Sequence, residues 1–250
     1  MYKPSFKTKK SGLPVISKEE IDCMAERYIF EFCPKALATP QEIDIDSFAS
    51  NYLNVNQDFQ YLSHNGIYLG MMVFNDTKKV IVYNPDKNEA EYLDVKARTI
   101  IIDNNLLENN QEHRYRYTMG HECGHDILHR GYFVKGLSNQ ISLFESQDKP
   151  LIQCRAAIKA DKNKRLWTDK DWMEWQSNYM SSALLMPKSM VKNLIESIDV
   201  KNNVTKNSIY VYTVADVFNV SIEAAKYRLS GLGSIPEDAI IDDVFLFDIS

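Results

Sequence analysis

From Ser17 to about Cys33 apolar residues recur at helical spacing, with Ile21, Met24, Ala25, Tyr28 and Ile29 on one stripe, the signature of an amphipathic helix. Ser17 and Glu20 fit a capping box at its start, and Pro34 and Pro40 punctuate the stretch after it. Asp46 to Leu53 reads as a second, short helix. From Gly66 the pattern turns to strand. Ile67 to Phe74 is an apolar run, Asn75-Asp76-Thr77 is a turn signal, Val80 to Tyr83 is a second strand and Arg98 to Asp103 a third, three strands expected to pair antiparallel.

Helices dominate the second half. Thr118 is placed to N-cap a helix that runs to about His129, with Gly131 as its stop. Residues 131–167 read as an inserted, irregular region, within which Arg155 to Arg165 is strongly basic. Thr168 and Asp171 fit a cap for a long helix to Met186, ended by Pro187, and Lys188 to Ser197 looks like another. After a polar link, Thr213 to Leu229 resembles a helix-turn-helix broken at Asn219-Val220-Ser221, with Ser221 as N-cap. The expected architecture is α+β: a small antiparallel sheet packed on a helical core, with a C-terminal helical, helix-turn-helix-like subdomain. The expected divisions are a flexible tail at 1–15, a main domain at 16–198 and a C-terminal subdomain with an acidic tail at 199–250.

Composition narrows the possibilities. With 44% hydrophobic and 25% charged residues the chain can build a sizeable core. Twenty-nine basic against 34 acidic residues give a net charge of −5, which disfavours gripping phosphate backbones as the main task. That charge also weakens the DNA-binding reading of 209–233, so direct nucleic-acid binding is not expected. The four cysteines form no C-x-x-C pair and read as free thiols of a reducing compartment. Lys3, Lys7, Lys9 and Lys10 are not followed by an apolar segment, and no window has the length of unbroken apolar sequence that a membrane span needs. A cytoplasmic protein with no membrane partner is expected.

The chemistry lies in the histidines. Three of the five, His121, His125 and His129, crowd together, and His121-Glu122-Cys123-Gly124-His125 is H-E-x-x-H. On a helix, positions i and i+4 stack on one face about 6 Å apart along the axis, so both imidazoles can reach one Zn²⁺. Glu122 is rotated about 100° from His121, beside the metal rather than on it. From there its carboxylate can take a proton from metal-bound water.

A catalytic zinc needs a third protein ligand and an open position. Cys123 points to the other side of the helix and suits a small buried filler. His129 lies about 80° off the ligand face and suits a helix end favoured by the C-terminal dipole. A carboxylate on another helix is left, and Glu174 stands out: it sits in a helix that is apolar over most of its surface, with Asn178 one turn on. A buried carboxylate must be paired or bound to metal, and Asn178 is placed to orient Glu174 or a histidine from the outer shell. Spacing alone leaves open that Glu174 is a surface residue.

These segments resemble a known family. Arg116 to His129 is similar to the R-F-T-x-x-H-E-x-G-H-x-x-x-H stretch of the ImmA/IrrE metallopeptidases. Glu174 to Pro187 resembles their E-x-x-A-N-x-F-A-x-x-L-L-M-P helix, with Ser177, Met180 and Ser181 in place of the usual Ala, Phe and Ala. The resemblance implies a zincin-like core holding one Zn²⁺ per chain on His121, His125 and Glu174, with Glu122 as catalytic base. It implies a zinc-dependent endopeptidase whose typical target is a helix-turn-helix repressor, cut at one site to relieve repression. The stretch between His125 and Glu174 is longer than the family pattern, so residues 133–167 are expected to form a lid or exosite beside the cleft. Two rivals stand beside this reading. One is a non-catalytic zinc module that sequesters a repressor, against which an intact Glu122 argues. The other is a DNA-binding regulator acting through 209–233.

Overall fold

In the computed structural model, residues 2–135, 151–155, 166–199 and 205–242 are described. The N-terminal residues expected as a loose tail pair instead as a short ribbon, β1 (Lys7–Thr8) against β2 (Pro14–Val15), turned by Gly12 at φ +92°. Leu13 is drawn into the core beneath it, and burying one leucine offsets part of the cost of ordering the turn. Helix α1 (Lys18–Phe32) has the Ser17/Glu20 capping box and buries the stripe Ile21, Met24, Ala25, Tyr28 and Ile29. After Asp44 caps α2 (Ile45–Ser47), a π-type turn over Phe48–Tyr52 places Phe48 among Tyr28, Phe32 and Tyr52.

The strands are β3 (Asn56–Gln60), β4 (Tyr68–Val73), β5 (Thr77–Asn84), β6 (Glu89–Val95), β7 (Thr99–Asp103) and β8 (Leu151–Arg155). The main sheet has the order β3-β7-β4-β8, and β5 and β6 form a separate ribbon. Two expectations are corrected here. The second expected strand, Val80 to Tyr83, belongs to the ribbon and not to the sheet of its neighbours. The main sheet is also mixed: β4 pairs antiparallel with β7 and β8, while β3 lies parallel to β7. The polar sequence of β3 had hidden it, and its partner β7 explains why it is there. Thr99 to Asp103 is buried throughout, so both its edges and both its faces need covering.

Alternation divides the faces. Met72, Ile100 and Ile102 join the large core, while Met71, Val73 and Ile101 pack with Val80, Val82 and Val95 of the ribbon; the period of two makes one strand serve two cores.

Helix α3 (Glu112–Lys135) covers the large-core face. It starts before Thr118 and continues past Gly131, contrary to the expected cap and stop. The Thr118 hydroxyl donates back to the Arg114 carbonyl, as threonines within helices do, and Gly131 keeps an ordinary helical backbone with open space around it. Residues 131–167 are therefore not wholly irregular: they include the end of α3, the edge strand β8 and the approach to α4. Residues 136–150 and 156–165, and with them most of the expected lid and basic run, lie outside the described residues.

Helix α4 (Asp169–Leu185), capped by Thr168 and Asp171, runs against α3. It is followed by α5 (Lys188–Glu196), α6 (Lys206–Val217) and α7 (Ile222–Gly231). The turn between α6 and α7 is held by the start of α3. Arg116 donates to the Ile43 carbonyl at 3.0 Å and to the Asn219 carbonyl at 3.0 Å, while the Asn219 side chain donates to Glu112 at 2.7 Å. From α7, Arg228 pairs with Asp22 of α1 at 2.8 Å in a fully buried contact and donates to the Met186 carbonyl. The α6–α7 pair is thus fastened to the rest of the protein by its own cation.

Candidate metal centre

The site is made by two helices that approach closely. On α3, Gly120 and Gly124 lie one turn apart; on α4, Ser177 and Ser181 do the same. A β-carbon on Gly120 would come 2.6 Å from the Ser181 hydroxyl, and one on Gly124 would come 3.1 Å from the Ser177 backbone. Small residues on both sides let the helix axes draw together. The side chains on the neighbouring stripes, His121 and His125 on α3 and Glu174 on α4, then meet.

Their donor atoms lie within 4.8 Å of one another. The two Nε2 atoms are 3.0 Å apart; Glu174 Oε2 is 3.4 Å from His121 Nε2, and Oε1 is 3.9 Å from His125 Nε2. All three residues are buried. Second partners fix the histidines. His121 Nδ1 is 2.9 Å from Asn178 Oδ1, which can only accept, so His121 donates from Nδ1 and turns the Nε2 lone pair inward. Asn178, expected to orient Glu174 or a histidine, is bonded here to His121.

Glu122 is fully buried beside them, and neither of its oxygens, nor either of Glu174's, has a hydrogen-bond partner among the described residues. Burial pushes the Glu122 carboxyl up to about 8; the nearby His121 opposes the shift and the Glu174 carboxylate adds to it. Strand β4 presses on this residue from above: a β-carbon on Gly70 would lie 2.7 Å from Glu122 Oε1. A glycine in the strand is what leaves room for the carboxylate.

Facing lone pairs from two imidazoles repel each other, and orphaned buried carboxylates are costly. A cation among them relieves both, so the donor set fits a divalent metal held by nitrogen and oxygen. The next layer of the site departs from the sequence expectation. His129 was expected at a helix end; α3 instead runs on beyond it, and it is fully buried and bonded to His125 and to Gln176. The signal was present in the spacing, since His129 is four residues from His125 and therefore its neighbour on the helix surface. Cys123 packs in the hydrophobic core away from the site.

The fold and site define a class: an α+β protein with an H-E-x-x-H helix and a glutamate from the facing helix at a buried candidate metal centre. Residues 151–230 match the Peptidase_M78 family model, the IrrE N-terminal-like domain, and the resemblance to the ImmA/IrrE family holds there. That stretch takes in Glu174 and Asn178, while the H-E-x-x-H segment precedes it. No curated protein matches the chain in sequence. Among solved structures, a Mycobacterium tuberculosis transcriptional regulator is similar at 13% identity and a TM-score of 0.40, over 85% of this chain. The chain spans 46% of that structure's length. Among the described residues no helix is long and apolar enough to cross a membrane.

Proposed function

We propose that the chain is a zinc-dependent endopeptidase that cuts a helix-turn-helix transcriptional repressor at one site. The observation that carries the reading is the burial of Glu122, unpartnered, beside the convergent His121, His125 and Glu174. A site meant only to hold a metal needs three or four ligands and no adjacent base. In this reading His121, His125 and Glu174 hold one Zn²⁺ per chain. A zinc held there would supply a Lewis acid for the scissile carbonyl and a water whose pKa is lowered toward about 7.

The chain's own residues supply the rest. Glu122 accepts the proton of the attacking water and passes it to the leaving amine. A buried carboxyl whose proton affinity is already raised is suited to both halves of that task. Asn178 holds His121 with its Nε2 turned toward the site. Among the described residues β8 is an outer strand of the main sheet, the kind of edge on which an extended peptide pairs. The choice of a repressor as substrate rests on the ImmA/IrrE resemblance.

The rival reading, DNA binding through 209–233, is weakened by the engagement of Arg228 with buried Asp22 and of the Asn219 turn with α3. Comparing new protein N-termini in cells that express the wild type or Glu122→Gln tests the proposal. The expected result is a new terminus within a helix-turn-helix repressor in wild-type cells only. Identical termini in both would contradict it.

A further inference from the structure

A chain of hydrogen bonds leaves the metal centre from His125 rather than from His121, and its direction is fixed from its far end. The Pro14 carbonyl can only accept, so Gln176 donates to it from Nε2 at 2.9 Å. That orients the Gln176 amide and turns its oxygen to His129 Nε2, also at 2.9 Å. His129 must therefore donate from Nε2, and as a neutral ring it accepts at Nδ1. His125 Nδ1 is 3.0 Å from that acceptor, so His125 donates there and its Nε2 carries a lone pair. Every member is buried, and the 3.0 Å approach of the two Nδ1 atoms requires one to donate and the other to accept.

We propose that His129 and Gln176 are positioning residues that lock His125 in the Nδ1–H tautomer, aim its Nε2 at the metal, and tie that ligand to the N-terminal ribbon through Pro14. The inference rests on the reading of His121, His125 and Glu174 as a zinc site. His121 receives the equivalent service from Asn178, so each histidine ligand has its own outer partner. The two partners differ in kind. Asn178 is exposed, whereas the His125 chain is closed to solvent and crosses from α3 to α4 to β2. No water can replace a member that is lost, so the His125 arm is the more sensitive of the two.

The test uses the full chain and zinc alone as the probe, with affinity read by competition against a chromophoric chelator and histidine tautomers read by long-range ¹H–¹⁵N NMR. Wild-type protein should bind one zinc, with His125 protonated at Nδ1 and His129 at Nε2. His129→Leu should weaken zinc binding by about 10–100-fold, the usual effect of removing an outer partner of a ligand. His129→Gln offers an acceptor to His125 and a donor to Gln176, and should remain within about threefold of the wild type. A purely structural role would not separate these two variants. Gln176→Met keeps the volume and removes the anchor, and should scramble the His129 tautomer. The proposal is overturned if wild-type His129 carries its proton on Nδ1, or if His129→Leu binds zinc as tightly as the wild type. Failure of the wild type itself to bind zinc would instead overturn the metal-site reading.

Discussion

Gly124 of α3 and Ser177 of α4 meet backbone to backbone: a β-carbon on Gly124 would stand 3.1 Å from both the Cα and the carbonyl oxygen of Ser177. The contact sets how far His121 and His125 lie from Glu174. In Gly124→Ala the better helix propensity contributes about 1 kcal/mol, while overpacking costs about 1–3 kcal/mol. The net loss of stability should thus be small, at most about 2 kcal/mol by urea denaturation. The larger effect is on geometry, because the facing backbone cannot rotate aside. Zinc affinity should fall clearly in a chelator competition, and unchanged affinity would show that the helix spacing does not set the site.

Gly131 gives the opposite sign. It lies inside α3 with nothing among the described residues within 4 Å of an added β-carbon. Gly131→Ala should stabilise the protein by about 0.5–1 kcal/mol, since alanine loses less backbone freedom in a helix. Were Gly131 a left-handed stop, as its sequence context suggests, the same change would destabilise. Thermal unfolding of the variant distinguishes the two.

This contrast shows what was and was not legible in the sequence. The caps at Ser17, Thr168 and Ser221 and the periodicity of α1 and α4 were readable, because local hydrogen bonds and one buried face determine them. The His121/His125 pair was readable because H-E-x-x-H is a local geometric device; Glu174 stood out as a carboxylate in a largely apolar helix, but its place as a ligand came from the family resemblance. Three features were not: the length of α3, the parallel strand β3, and the His129–Gln176 chain. Each depends on a partner distant in sequence. Tertiary packing carries α3 through Gly131, β7 recruits the polar β3 as an edge, and Pro14 fixes the orientation of Gln176. Position along the chain gave His129 a helix end; the fold gave it a buried interior.

Glu174 tests the donor set itself. Glu174→Gln keeps the shape of the side chain and removes its charge. Zinc affinity should drop by more than the roughly 100-fold that outer-shell changes reach. Chelator treatment should lower the melting temperature of the wild type and leave that of the variant unchanged, because only a ligand bound to the native state adds stability. Equal shifts in the two proteins would place the metal elsewhere.

Arg228 and Asp22 test the docking of the C-terminal helices. The pair is fully buried, and Tyr179 also donates to Asp22 at 3.0 Å. Arg228→Ala leaves Asp22 buried with only Tyr179 and the more exposed Lys188, 4.0 Å away, for partners, and should cost near the lower end of about 3–5 kcal/mol in denaturant unfolding. A loss below about 1 kcal/mol, as for a surface ion pair, would mean that α7 is not anchored as described and would reopen its availability to DNA.

The role of Glu122 is the centre of the account, and one comparison addresses it most directly. Wild-type and Glu122→Gln proteins, each verified by native mass spectrometry to carry one zinc, are incubated with the repressor captured by the inactive variant, and cleavage is followed by intact mass. The account predicts a single cut by the wild type and none by Glu122→Gln at equal zinc content. Cleavage by the variant at the wild-type rate would contradict it.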